Sequence, residues 1–384
     1  MRIGIIGLGY RLGYLARVFS AARSDFSIAG YVDPAPAGLP YATEHGVDMG
    51  KSFDSLEAML DSEKLDLLMI GSPNHLHLGH IRIGLDRGMK IFTEKPVVTT
   101  VEETMELAAL IAEYGSDNLM VGLVLRYAPL YVDLRKAQAE GLLGDVTSIE
   151  ASEHIPPYHG AFFMRDWRRY ERYSGSFMLE KCCHDLDLYN GVMGCRPQYV
   201  SSFGGRRTFI PANAPATVGI NDMEVYHRKP TGWEGTDKVF DSDGDIIDFQ
   251  TAMVSYENGA ALSFHTNLNV PDDFRRFAVM GAKGMAEGDF IRNFLRVTDS
   301  RTSDRLIDTT YKNSELSAHY GADEQMAEDI LKHMVEGVPL PVSVTDALEA
   351  GLLALTMDQA MRTRSVIDMT PIWQQFDAAL GRAN

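Results

Sequence analysis

Residues 1–13 read Met-Arg-Ile-Gly-Ile-Ile-Gly-Leu-Gly-Tyr-Arg-Leu-Gly. Arg2–Ile6 is a short apolar strand that runs into Gly7-Leu8-Gly9. Leu12, Leu15, Ala16 and Phe19 then recur at helical spacing,. Glycines at a strand-to-helix turn let a phosphate approach the backbone. The helix N-terminus adds N–H donors and partial positive charge. The pyrophosphate pattern is G-x-G-x-x-G. Here Leu12 holds the third small position and Gly13 comes one residue late. A second strand, Phe26–Val32, ends at Asp33, twenty residues beyond Gly13. A carboxylate there accepts hydrogen bonds from adenosine ribose hydroxyls and repels a 2′-phosphate, which favours NAD over NADP. Its plainer role is to cap the turn before Pro34.

The alternation continues outward. Ser55–Leu60 reads as helix, Leu65–Ile70 as a buried strand closed by Gly71-Ser72-Pro73, and 75–87 as helix. Lys90–Thr93 is a strand followed by Glu94-Lys95-Pro96. Thr99–Tyr114 is an amphipathic helix opening on a capping box, Thr100-Val101-Glu102-Glu103, and Asn118–Leu123 is the next strand,. Strands alternating with helices imply a doubly wound parallel sheet, so 1–123 is expected to be a Rossmann NAD-binding domain. After Gly144 the pattern changes. Asp145–Ser152 reads as a strand, followed by an aromatic and basic loop and a helix over Phe177–Met193. Strands follow at Tyr199–Phe203, Phe249–Tyr256, Ala260–Asn267 and Phe277–Gly281, with a hairpin turn at Glu257-Asn258-Gly259,. Residues 124–384 are therefore expected to form an α/β domain with a large, mainly antiparallel open sheet. Its C-terminal helices, from about 323 to 384, are expected to pack back toward the first domain. The polar stretch 211–245 reads as a surface loop or lid.

The chain has 384 residues, with 36 Lys and Arg against 53 Asp and Glu, a formal charge of −17. An acidic chain repels phosphate backbones and anionic lipid, so neither nucleic acid nor membrane is an expected partner. No apolar run reaches the ~18 residues of a span. Three cysteines, two of them adjacent at 182 and 183, cannot form a disulfide framework, which points to the cytoplasm,.

Two further motifs follow strand ends, Ser72-Pro73-Asn74-His75-Leu76-His77 and Glu94-Lys95-Pro96. Open α/β sheets bind ligands at such carboxyl ends. With Gly7-Leu8-Gly9, Asp33 and Gly281-Ala282-Lys283-Gly284, they make the whole chain resemble the glucose-fructose oxidoreductase / inositol dehydrogenase / rhizopine-catabolism (Gfo/Idh/MocA) family. The resemblance implies nicotinamide in a cleft between the domains. It implies cofactor contacts from Gly7, Gly9, Tyr10, Arg11, Leu12, Asp33, Ser72, Pro73, Asn74, His77, Glu94 and Lys95. Lys95 would also touch the substrate hydroxyl.

If residues 177–193 are helical, Glu180, His184 and Asp187 fall within about 60° of one another. Three ionisable groups on one stripe are costly to bury without a purpose. The alternative is a surface helix with i,i+4 pairs such as Lys181 with Asp185. The family pattern has two glycines, then Asp, His and Asp. Here Gly175, Ser176, Glu180, His184 and Asp187 stand in those places. By resemblance His184 takes the hydroxyl proton as hydride leaves, a role that suits an imidazole near neutral pH. Glu180 orients the substrate, and Arg126, Tyr127, Trp167 and Arg168 also line it. Without a second His or Cys cluster, no metal site is expected. Arg165, Arg168, Arg169 and Arg172 either offset Asp166, Glu171 and the pyrophosphate, which is favoured, or hold an anionic substrate group.

The expected activity is NAD-dependent hydride transfer to or from a secondary hydroxyl of a sugar, sugar derivative or cyclic polyol, with Lys95, His184 and Glu180 as catalytic residues. The alternative is an NAD-retaining glycosidase that oxidises, eliminates, hydrates and re-reduces. By resemblance the chain would be a homodimer or homotetramer.

Overall fold

The computed structural model describes residues 1–217, 219, 224–228, 233–312 and 319–382. The chain divides into two compact units. The first comprises Met1–Tyr127, Ser317–Gly351 and Gln374–Asn384; the second comprises Ala128–Leu316 and Leu352–Trp373.

In the first unit, β1 (Arg2–Ile6) leads into α1 (Tyr10–Ala22), then β2 (Ser27–Val32), α2 (Leu39–Glu44), β3 (Lys51–Ser52) and α3 (Leu56–Ser62). β4 (Leu67–Ile70) is followed by a 3₁₀ turn at Asn74–Leu76, α4 (His77–Asp86), β5 (Ile91–Thr93), α5 (Val101–Tyr114), β6 (Leu119–Val121) and a 3₁₀ turn at Val124–Tyr127. The six strands are parallel in the order β3-β2-β1-β4-β5-β6. The order reverses between β1 and β4, so the loops after these strands flank the crevice where such sheets take ligands. All four residues of β4 are buried, as a strand covered on both faces requires,.

In the second unit, α6 (Pro129–Ala139) and β7 (Val146–His154) precede α7 (Pro157–Arg165), a 3₁₀ turn at Trp167–Arg169, α8 (Glu171–Ser174) and α9 (Phe177–Met193). The strands β8 (Pro197–Gly205), β9 (Phe249–Tyr256), β10 (Ala261–Asn267), β11 (Arg276–Gly281), β12 (Gly284–Asp289), β13 (Phe294–Asp299) and β14 (Arg305–Thr310) follow. After α10 (Ala322–Glu336), in the first unit, come α11 (Val344–Thr363), β15 (Ile367–Asp368) and α12 (Thr370–Ala379). The nine-stranded sheet runs β14-β13-β12-β11-β7-β10-β9-β8-β15. It is mostly antiparallel, with β7 and β10 parallel. The expected α/β architecture holds: a Rossmann-type parallel sheet and a large, mainly antiparallel one. Burial alternates along β9 and β10, so one face of the sheet is covered and the other is open. α9 packs on β7 across the covered face.

Two expectations need correction. The stretch before α9 is not a loop but the helical run α7 to α8. The strand series extends past Gly281 through β12, β13 and β14. Within 211–245, residues 218, 220–223 and 229–232 lie outside the described residues. The part from Thr236 to Asp245 is tied down. Thr236 N–H donates to Arg165 O (2.9 Å), Ser242 Oγ to Met164 O (2.9 Å) and Asp245 N–H to Arg169 O (2.9 Å). Among the described residues no helix is long and apolar enough to cross a membrane.

Candidate active site

Gly7 closes β1 at φ +82°, and a Cβ there would lie 2.2 Å from Ser72 N. Only glycine fits. Gly9 is the N-cap of α1, with extended backbone and no side-chain cap bond. A Cβ on Gly9 would meet nothing within 4 Å. That open space in front of the first N–H groups of a 13-residue helix fits a pyrophosphate,. The packing work of a third glycine falls to Gly13, whose Cβ would sit 2.6 Å from Gly38 O. Leu12 is buried, and its side chain would lie 2.5 Å from a Cβ on Gly71.

Asp33 accepts from Leu8 N–H and Ala35 N–H, both at 2.7 Å, one on each oxygen. The cap and the ribose roles coexist, since each carboxylate oxygen has a second lone pair. Ser72 Oγ lies 2.9 Å from His80 Nδ1; burial and His77 push His80 down to about 4. The buried His77 ring joins the loops after β4 and β5. Its nitrogens lie 2.8 Å from Ser72 O and 2.8 Å from Pro96 O. Asn74 is buried, Lys95 half-buried and Tyr10 exposed. Arg126 is half-buried and Tyr127 buried, both in the turn after β6.

Arg11 is committed to two carboxylates of the chain. Its Nε donates to Glu94 Oε1 (2.9 Å), and its Nη2 pairs with Asp323 Oδ1 (2.8 Å). Asp323 Oδ2 lies 2.9 Å from His319 Nδ1. Burial alone would raise Asp323, but Arg11 and His319 hold it well below the usual carboxylate range. Asp323, in the first turn of α10, was not singled out by the sequence. An acidic residue in a helix's first turn is too common to mark it.

In the second unit, Gly175 and Ser176 end α8 and open α9. Ser176 has φ +155°, a backbone region that suits glycine, and its Oγ accepts from Leu179 N–H at 3.0 Å. Glu180, His184, Asp185 and Asp187 are all buried. Arg168 donates from Nε to Glu180 Oε1 (2.8 Å) and from Nη1 to Asp166 Oδ1 (2.9 Å). Its guanidinium sits 4.2 Å from the Trp167 ring centre. The helix therefore carries Glu180 and His184 one turn apart, with the carboxylate fixed by a stacked arginine fork.

The Lys181–Asp185 pair of the alternative, surface-helix reading does not form. Lys181 pairs with Glu153 (3.1 Å) instead. Arg275 bonds Asp185 through Nε (2.8 Å) and Nη2 (2.6 Å) and also reaches Glu153 (2.9 Å). Lys181 reaches from α9 to Glu153 on β7, and Arg275 comes to α9 from just before β11, which a local i,i+4 rule cannot foresee. Burial, against Arg275, pushes the Asp185 carboxyl up. Among the described residues no group of three or more His, Cys, Asp or Glu could hold a metal ion.

Residues 1–123 match the model of the oxidoreductase family, NAD-binding Rossmann fold, and residues 131–287 match the GFO/IDH/MocA C-terminal domain. The chain belongs to the GFO/IDH/MocA family of oxidoreductases. It is 24% identical over 401 residues to a Bacillus subtilis (strain 168) protein named as an oxidoreductase, YteT, covering 90% of this chain and 91% of that one. With inositol 2-dehydrogenase of Rhizobium meliloti (strain 1021) it shares 25% identity over 203 residues, 53% of this chain and 58% of that protein. A levoglucosan dehydrogenase in complex with NADH and levoglucosan has the same fold, with TM-score 0.76 and 19% identity, over 96% of this chain and 99% of that one.

Proposed function

We propose that this member of the family is an NAD-dependent dehydrogenase acting on a secondary hydroxyl of a sugar, sugar derivative or cyclic polyol. The observation that carries the proposal is the Glu180–His184 pair, buried one turn apart on α9 in a chain whose first unit has an NAD-binding Rossmann fold. NAD, when bound, accepts the hydride. Gly7, Gly9 and the first turn of α1 would hold its pyrophosphate, and Asp33 its adenosine ribose. Ser72, Pro73, Asn74, Glu94 and Lys95 would flank the remainder.

His184 takes the hydroxyl proton while the carbinol carbon loses hydride, so the alcohol becomes a ketone and the proton rests on imidazole nitrogen. Lys95 shares that hydroxyl as donor and keeps it oriented. Glu180, fixed by Arg168, accepts from a neighbouring hydroxyl. Its carboxylate extends one methylene beyond the Asp of the family pattern, a shift of about 1.5 Å that matters for positioning. Arg126, Tyr127 and Trp167 complete the proposed substrate contacts.

The test is NADH formation over inositols, aldoses, sugar acids and glycosides with protein stripped of nucleotide. Lys95→Ala and His184→Ala should each abolish turnover while NAD binding survives. Wild-type turnover in His184→Ala would end the proposed role. Cleavage of a glycoside without net NADH would refute net oxidation in favour of the NAD-retaining glycosidase. NADP binding tighter than NAD would overturn the role given to Asp33.

A further inference from the structure

The arginines around α7 and α8 are not equivalent. Arg168 is held by Asp166 and Glu180, and Arg169 by Asp243 at 2.9 Å. Arg172 lies over the Tyr170 and Tyr173 rings, 3.9 Å and 4.5 Å from their centres. Among the described residues Arg206 has no carboxylate within ion-pair distance, but its fork is filled by the carbonyl oxygens of Ser242, Gly244 and Ile246.

Arg165 differs from all of these. It ends α7 and is only 3% exposed. Its Nε donates to Ala161 O (3.1 Å), and its Nη1 has no hydrogen-bond partner among the described residues. The neighbouring carboxylate, Asp166, is bonded to Arg168. A second cation is close by. Arg228 lies 5.6 Å from the ring centre of Tyr158, also on α7, and its Nε donates to Glu224 O (2.7 Å). Burial and then Arg228 lower the Arg165 pKa, with Asp166 opposing. Asp166 and Glu180 are both taken by Arg168, and among the described residues no carboxylate bonds Arg165 or Arg228. A buried guanidinium N–H with no acceptor is costly, and a second cation beside it adds to the cost.

We propose that Arg165, with Arg228 beside it, is a subsite for a carboxylate carried by the substrate. The planar fork of Arg165 suits a planar acid, whose two coplanar oxygens can meet parallel N–H donors. Arg165 stands three residues before Arg168, the residue that holds Glu180, so the acid would be read beside the proposed substrate-orienting group. The sugar part of this assignment rests on the proposed dehydrogenase activity; the anion part does not.

The experiment compares D-galacturonate and D-glucuronate with D-galactose and D-glucose, and with D-galactose 6-phosphate. Wild type, Arg165→Met and Arg228→Gln are each assayed by NADH formation and by the shift in Tm that each compound produces with NAD present. The wild type should prefer the acids, and Arg165→Met should lose between about tenfold and a hundredfold of the acid-to-neutral ratio. Arg228 is exposed, so Arg228→Gln should fold even if Arg165→Met does not. It should lower the same ratio, with a loss that shrinks at high salt. Stabilisation of the wild type by the acids alone, lost in the variants, supports the subsite even where no NADH forms, so the subsite and the dehydrogenase proposal stand or fall separately. Equal response to acids and neutral sugars, equal or greater response to the phosphate ester, or an acid preference unchanged in both variants would overturn the subsite.

Discussion

The three glycines of the first turn make a quantitative test, because each has a different reason to lack a side chain. Gly9→Ala places a methyl in open space, with nothing within 4 Å, on a backbone that alanine can adopt. The folded chain should lose no more than the difference between glycine and alanine at an N-cap, about 1 kcal/mol, or a few degrees of Tm. The same methyl stands where a pyrophosphate would meet the helix N-terminus, so NADH affinity should fall at least about tenfold. Gly13→Ala reverses the pattern. Its Cβ would come 2.6 Å from Gly38 O, against an ordinary contact beyond 3.4 Å. The obstacle is backbone, which cannot rotate away. Gly38 is itself fixed, donating to Leu8 O at 2.9 Å. Relief requires α1 to move, at the 1–3 kcal/mol or so typical of overpacking. Tm by differential scanning fluorimetry and NADH affinity by fluorescence titration separate the two cases. Gly9→Ala binding NADH like the wild type, or destabilising as much as Gly13→Ala, would refute the reasoning.

Further expectations concern the second unit. Arg275→Met leaves the buried Asp185 and Glu153 without their shared cation and should cost about 3–5 kcal/mol. Urea denaturation checks this, and a loss under about 1 kcal/mol would mean that Lys181 alone suffices. Burial pushes the Asp358 carboxyl up to about 7, against hydrogen bonds from Ser176 and Gln250. Between about 4 and about 7 the folded chain keeps a proton that the unfolded chain has released, so wild-type stability falls as pH rises through that window. Asp358→Asn removes the linkage and should gain on the wild type by at most about 4 kcal/mol across it. Parallel stability profiles for the two proteins would exclude the effect.

The parallel sheet was legible because its signals are local: apolar runs closed by glycine, with helical spacing between them. Even there the details of the capping box differ from the pattern by one residue. Thr100 caps α5 by accepting from Glu103 N–H (3.1 Å), but the Glu103 carboxylate turns to Thr99 N–H and Oγ1, both at 2.7 Å. What sequence missed was glycine demanded by packing rather than by a turn. Gly160 lies inside α7, where a Cβ would meet Leu268 O at 1.9 Å, and the segment read as loop. Gly288 lies inside β12, where a Cβ would meet the Phe277 ring at 2.6 Å, and a glycine there hides the strand pattern,. Of the candidate site, the positions on α9 and the two strand-end motifs could be found by spacing. The partners that fix them could not, because Asp323, Glu153 and Arg275 are distant in sequence from the residues they hold.

Those partners share one arrangement. Arg11 stands between Glu94 and Asp323, Arg168 between Asp166 and Glu180, and Arg275 between Glu153 and Asp185. In each case one planar fork serves two buried acids, and five N–H donors allow this without moving either carboxylate. A lysine ammonium could neutralise either acid but could not fix two planes at once, so Arg→Lys at these positions is not conservative. One cation for two carboxylates leaves each cluster short of positive charge unless another group contributes. His319 stands beside Asp323, and Lys181 completes the Arg275 cluster. Beside the Arg168 cluster stands Arg165, whose Nη1 has no hydrogen-bond partner among the described residues. The unfilled donor, absent from the Arg11 and Arg275 forks as described, is what the proposed carboxylate would satisfy.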